Sequence, residues 1–466
     1  MPADPDATGP DATAADATAA DTAAAGTGGT GGESAAEQEV VRICSELIRF
    51  ESVNTGDPAT IGDGEAQAAR YLQQQLEEVG YETTYLESVP GRGNVVARLA
   101  GADPNRGALL IHGHVDVVPA DAAEWTVHPF SGAVQDGYVW GRGAVDMKDM
   151  VAMTVAVARQ YKRDGTVPPR DLVFAFMSDE EAGGKYGAQW LVDNHPELFA
   201  GATEAISEVG GFSIPLDDRR RAYLVAAAEK GIAWATLRAT GRAGHGSMTN
   251  DDNAVTKVAD AVSRLAHHEF PLTMTRTVRS LLNGVTELTG LEFPEEDLEG
   301  HIAKLGPVAR ILNATLRNTA NPTMLSAGYK ANVIPSRAEA TVDCRVLPGS
   351  EATFQREVQD IVGDDIEIEW NFATPLEFPF EGDLVEAMKA ALAAEDADGY
   401  PLPYMLSGGT DNKSFSQLGI AGYGFSPLRL PADLDFSSLF HGVDERVPVD
   451  ALKFGVRVLD RLIRTS

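Results

Sequence analysis

Asp179, Glu180 and Glu181 stand side by side in "FMSDEEAGG", directly after the apolar run 172–177. Adjacent carboxylates at the exit of a buried strand raise one another's pKa and cost stability unless solvent or a cation relieves them. Further segments carry acids or histidines in comparable places. "IHGHVDVVP" sets His114 and Asp116 two residues apart, so on a strand both project from one face. That spacing offers a carboxylate to the second nitrogen of a metal-bound imidazole. "GRGAVDMKDM" holds Asp146 in a Gly-containing loop ahead of a helix, "AISEVGG" holds Glu208 after a short strand, and "LFHGVDERV" holds His441 in a loop near the chain's end. Imidazoles and carboxylates are the donors of a divalent-metal site. Singly, each has an ordinary alternative: Asp146 as a helix N-cap, Asp116 as a turn residue, Glu208 as an exposed loop acid. Only the set argues for chemistry.

Such a set needs elements that bring distant segments together. Strand-like runs at 94–101, 108–119 and 171–181 are near-continuously apolar, and 149–165 reads as a helix between the last two. This alternation predicts an α/β sheet covered on both faces, with functional groups at the carboxyl ends of its strands. Before it, Val40, Ile43, Leu47 and Ile48 recur at helical spacing, and "GEAQAARYLQQQLEEVG" is a second helix stopped by Gly80. After Glu229 the pattern changes. "GIAWATLRATG", "RAEATVDCRVLPG" and "DIEIEWNF" alternate as half-exposed strands around the helices "NAVTKVADAVSRLAHHEF" and "EATFQREVQDIVG". A strand–helix–strand–strand–helix–strand order predicts a small α+β insertion. Its interior, 270–325, has helical character and no evident chemistry. The expected division is a tail at 1–36, a catalytic domain at 37–228 and 374–466, and an inserted lid at 229–373.

Composition narrows the partners. The chain has 466 residues, 44% apolar, and a net charge of −31, which repels nucleic-acid phosphates and anionic lipid. No run of about 18 apolar residues suggests a membrane span. Residues 1–36, rich in Ala, Thr, Asp and Gly, are too poor in bulky apolar residues to fold, and they lack the basic and apolar regions of a secretory signal. Cys44 and Cys344 lie far apart in apolar contexts, as reduced core thiols of a cytoplasmic protein do.

With "GHGSM", "NVIP" and "GGTDN" in the same order, these segments resemble the M20 family of zinc aminopeptidases, carboxypeptidases and amidohydrolases, over nearly all of 38–466. The sequence looks most like the branch of aminoacylases and yeast-type carboxypeptidase S. The resemblance implies a doubly wound zinc-hydrolase domain interrupted by an α+β, ferredoxin-like lid, and two Zn2+ per subunit, with Co2+ or Mn2+ as substitutes. His114 and Glu208 would hold one ion, Glu181 and His441 the other, and Asp146 would bridge them, with Asp116 behind His114. Glu180 would be the general base, and the Asp146–Met147 peptide would be cis. His245, in "RAGHGSMT", would stabilise the oxyanion from the lid, and in dimeric relatives it reaches the partner's site, so a homodimer through the lid is expected. Asn332, Arg345, Gly409 and Thr410 would bind a substrate carboxylate. Arg345 also fits a pairing with a lid carboxylate, and Asn332 a turn.

The implied reaction is hydrolysis of an amide or peptide bond beside a free carboxylate, in a small peptide or N-acyl-amino acid. The alternatives are a non-catalytic binding protein of the same fold and a deacylase of another small N-acyl substrate. His112 reads as a packed residue, and Asp179 as a solvated or outer residue. Glu229 receives no role.

Overall fold

A computed structural model describes residues 32–305, 309 and 312–466, so the low-complexity tail lies outside the described residues as far as residue 31. The first helix, Ala35–Ile48, starts inside the stretch read as tail because Ser34 caps it. The Ser34 hydroxyl accepts from the Glu37 amide, and the Glu37 carboxylate accepts from the Ser34 N–H. Val40, Ile43, Leu47 and Ile48 are buried, as their spacing predicts.

The apolar runs form the centre of a ten-stranded mixed sheet. Ala108–His114 lies parallel between Leu172–Met177 and Ala202–Ser207, and Ala421–Gly424 extends the parallel set. Alternate residues of these strands enter different cores. Leu109, Ile111, Phe174 and Phe176 pack with the helices Ala35–Ile48, Lys148–Asp164 and Val449–Thr465. Leu110, Val173, Ala175 and Met177 pack with Leu191 and Phe415 on the other face. A strand buried on both sides has no polar face to show, which is why these runs read as continuously apolar. The helix Lys148–Asp164 stops at Gly165, whose φ of 64° is the left-handed conformation of a helix C-terminus.

The lid is a separate antiparallel sheet of four strands, in spatial order Thr319–Ala327, Arg337–Val346, Gly231–Thr240 and Glu367–Ala373. The helices Ala254–Ala266 and Glu351–Val362 cover it, and Leu237, Val258, Leu265, Val342, Phe354 and Val358 belong to a core of its own. Chain order and strand order together are those of the ferredoxin-like lid.

The stretch 270–325 differs from its helical reading in two ways. Thr319–Ala327 is an edge strand, largely exposed on both sides, so burial left no alternation to read. The helix Arg276–Thr289 does not join the lid core. Val278, Leu281, Leu282 and Val285 are buried in the main core. Gly284 permits that approach, since a Cβ there would lie 2.5 Å from the Leu402 side chain. Among the described residues, no helix is long and apolar enough to cross a membrane. Cys44 and Cys344 are unpaired and buried.

Candidate metal centre

Parallel register gathers the acids. His114 ends its strand opposite Met177, so Asp179, Glu180 and Glu181 follow at the same edge of the sheet. Glu208 comes directly after Ala202–Ser207, on the other side of His114. Asp146 arrives on the loop before the helix Lys148–Asp164, and His441 on the loop before the strand Arg446–Pro448. The Asp146–Met147 peptide is cis.

The side chains sort into two groups joined by one carboxylate. His114 Nε2 lies 3.1 Å from Asp146 Oδ1 and 3.3 Å from Glu208 Oε2. His441 Nε2 lies 3.3 Å from Asp146 Oδ2 and 3.2 Å from Glu181 Oε2. Glu180 Oε2 stands farther off, 4.0 Å from His114 Nε2. Donor atoms of His114, Glu180 and Glu208 lie within 4.8 Å of one another, as do those of His114, Asp146 and Glu181.

Asp116 meets His114 through two groups. The atom nearest His114 Nδ1 is the Asp116 backbone oxygen, at 2.9 Å, with its carboxylate at 3.5 Å. A carbonyl only accepts, so Nδ1 carries the proton and Nε2 is left to face the carboxylates. The Asp116 carboxylate also accepts the amides of Glu180 and Glu181, both at 3.1 Å, and fixes the turn that presents them.

Asp179, read as a solvated or outer residue, is buried behind the centre. Asn54 Nδ2 bridges it to Asp116, at 3.1 and 2.9 Å, and its other oxygen accepts the Tyr186 amide at 2.8 Å. Arg92 pairs with Glu65, donates to Asn54 at 3.0 Å and lies 3.5 Å from Asp179. Sequence reasoning missed Asn54, Glu65 and Arg92, which stand in polar, glycine-containing segments and carry no local signal. Arg92→Leu strands two buried carboxylates and is expected to cost about 3–5 kcal/mol of stability. Denaturant unfolding checks this, and a loss below about 1 kcal/mol would show the pair to be unimportant.

The site as a whole is starved of positive charge. Burial, then the Glu208 charge, push the Glu180 carboxyl well above the usual range, and burial lifts Glu208 to about 8. The histidines hold protons instead. Hydrogen bonds to Asp146 and Glu181 raise His441 to about 10. For His114, burial opposes the charge, but Glu208, Asp116 and Asp146 outweigh it. Glu181 Oε1 is buried with no hydrogen-bond partner. A buried acceptor without a donor, among crowded carboxylates and paired imidazoles, fits divalent cations.

Among the described residues, those expected to bind substrate make no hydrogen bond to the candidate ligands. His245 is exposed on the short ladder Gly244–His245 with Val333–Ile334, and its Nδ1 lies 2.8 Å from Ser247 Oγ. Asn332 sits beside it, its carbonyl accepting the Gly246 amide at 2.9 Å. Arg345 forks onto Asp343 at 2.7 and 3.0 Å, the lid pairing left open above. Gly409 precedes Thr410, which is held by Glu229. That carboxylate accepts the Thr410 amide at 3.0 Å, its hydroxyl at 2.6 Å and the Lys413 ammonium at 2.7 Å. Glu229, given no role above, therefore anchors the "GGTDN" loop at the point where the chain crosses into the lid. His112 is a packed residue: burial pushes its pKa down to about 4, and Nε2 lies 3.0 Å from Asn412 Oδ1.

The chain resembles known proteins over most of its length. The profile described as Peptidase family M20/M25/M40 matches residues 110–465. The chain is 28% identical over 459 residues to the N-fatty-acyl-amino acid synthase/hydrolase of Xenopus tropicalis, covering 92% of this chain and 86% of that one. It is 27% identical to aminoacylase-1 of Sus scrofa, covering 85% and 89%. Its fold is similar to the di-peptidase Dug1p of Saccharomyces cerevisiae, with a TM-score of 0.68 at 15% identity over 92% of this chain and 98% of that one. It is also similar to YXEP of Bacillus subtilis, described as a dinuclear metal binding peptidase, with a TM-score of 0.59 at 14% identity over 93% and 99%.

Proposed function

The chain belongs to peptidase family M20, and from that premise we propose that it hydrolyses an amide or peptide bond beside a free carboxylate, in an N-acyl-amino acid or small peptide. In this reading His114 and Glu208 hold one Zn2+, His441 and Glu181 a second, and Asp146 serves both. Co2+ or Mn2+ are substitutes, because carboxylate-rich sites discriminate weakly among such ions. The observation that carries the reading is the Asp146 carboxylate, with one oxygen 3.1 Å from His114 and the other 3.3 Å from His441. The relatives named for aminoacylase and fatty-acyl-amino acid chemistry favour N-acyl-amino acids as substrates.

Bound cations supply an acidified water and a Lewis acid for the carbonyl oxygen. The protein supplies the rest. Glu180, half-buried and held by its amide to Asp116, takes a proton on its carboxylate and returns it to the departing amine. His245 donates to the oxyanion, reaching the site of a partner subunit. The exposed lid edge Thr319–Ala327, with Met324, Leu325, nearby Tyr329 and Met248 on the surface, supports a homodimer through the lid. Arg345, Asn332, Gly409 and Thr410 receive the substrate carboxylate. Arg345 must exchange Asp343 for substrate to do so. Two buried, unpaired thiols favour a reducing compartment such as the cytoplasm.

Metal analysis, with hydrolysis of dipeptides and N-acetyl- and N-fatty-acyl-amino acids under added Zn2+, tests the reading. Two ions per chain with turnover of one class sustains it. Two ions with no turnover favours a non-catalytic binding protein, and fewer than two removes the dinuclear site. His245→Ala is expected to lower kcat about 10²–10³-fold without changing metal content. Mixing it with Glu180→Ala protein restores activity if His245 works across the dimer. A mixture that stays inactive overturns that assignment.

A further inference from the structure

The two halves of the site are held very differently. His114 and Glu208 sit at the ends of central parallel strands. His441 sits on a loop, with 53% of its side chain exposed. Its φ of 56° lies in the left-handed region that a non-glycine residue avoids, and Asp444 three residues on has a φ of 57°. Each of these two residues has a fastening. Asp444 accepts the Thr126 amide at 2.7 Å and its hydroxyl at 2.8 Å. The His441 backbone carbonyl accepts Arg142 Nη2 at 3.3 Å.

Arg142 is buried, and its Nη1 pairs with Glu445 at 2.7 Å. Glu445 is fully buried, and its second oxygen accepts the Val145 amide at 2.8 Å, one residue before Asp146. The backbone oxygen of Glu445 also accepts the Gly141 amide at 2.9 Å. One ion pair therefore ties the segment that delivers Asp146 to the segment that delivers His441. No hydrogen bond or ion pair connects this pair to His114 or Glu208 among the described residues.

Resting on the two-cation reading above, we infer that Arg142 and Glu445 are positioning residues whose main effect falls on the His441–Glu181 cation, since they hold the His441 loop as well as the segment of the shared Asp146. They reach the His114–Glu208 cation through Asp146 only, so its affinity depends on them less. A partner behind a ligand commonly governs metal affinity about 10–100-fold, and here that leverage falls mainly on one ion of two. The pair touches neither the reacting atoms nor the proposed base.

The test is equilibrium dialysis of metal-stripped full-length protein against graded free Zn2+, with bound zinc counted at each step. Wild type is expected to fill in two steps. Arg142→Met and Glu445→Gln should weaken one step about 10–100-fold and the other clearly less. Arg142→Lys keeps the charge beside Glu445 but not the fork that also reaches the His441 carbonyl. It should fold as wild type does and still show the selective loss, which covers the case where the first two variants do not fold. Two intact steps in Arg142→Lys, or equal weakening of both, overturns the inference while leaving the dinuclear reading standing. A wild-type protein that takes up fewer than two ions removes both.

Discussion

Glu180→Ala is expected to lower turnover about 10²–10⁴-fold while the protein keeps its wild-type complement of cations. The geometry separates the two effects. Asp146 and Glu208 approach His114 Nε2 to 3.1 and 3.3 Å, whereas Glu180 stands at 4.0 Å. Its hold on Asp116 is through the backbone amide, which a side-chain substitution leaves intact, so the turn carrying Glu181 stays in place. The substitution also removes one half-buried carboxylate from a crowd that includes Glu208, so the metal-free protein should not lose thermal stability. Glu180→Gln keeps the volume and removes the base, and should match Ala in rate. The outcome to watch is metal content. Because Glu180 shares a 4.8 Å cluster with His114 and Glu208, cations lost along with activity would make it a ligand and leave the base unassigned.

Asp146→Ala should be the more severe change, since it removes a donor from both cation positions at once. Replacing a partner behind a ligand costs about 10–100-fold in affinity, and a shared first ligand should exceed that at each ion. At free Zn2+ that saturates wild type, Asp146→Ala is expected to bind at most one ion and to fall below Glu180→Ala in turnover. Asp146→Asn is the informative control. It keeps the shape but offers one carbonyl oxygen, so it can serve His114 or His441 but not both. Zinc counting with kcat on the same preparations checks the pair. Two tightly bound ions in Asp146→Ala would show that the spread of its oxygens between the histidines has no binding role.

How the two predictions became possible divides between sequence and structure. The acids and histidines of the centre stood out in the sequence because charge at the exit of an apolar run is costly, and cost makes a residue conspicuous. The central strands were legible for a related reason, since burial on both faces leaves runs such as 172–177 without polar interruption. The cap of Ala35–Ile48 is written locally, as Ser34 and Glu37 three residues apart, but low-complexity surroundings masked it. The strand Thr319–Ala327 was not legible, since it depends on pairing with Arg337–Val346 from an exposed edge.

What holds the centre was hidden for a deeper reason. Asn54, Arg92, Glu229, Arg142 and Glu445 are ordinary residue types in ordinary places along the chain. Each gains meaning from a partner tens to hundreds of positions away: Asp179 for Arg92, Thr410 for Glu229, His441 for Arg142. The sequence determined which residue types are present to bind cations and how its strands alternate with helices. Only the tertiary structure decided which oxygen faces which nitrogen, because hydrogen bonds and ion pairs act over about 3 Å of space and take no account of separation along the chain.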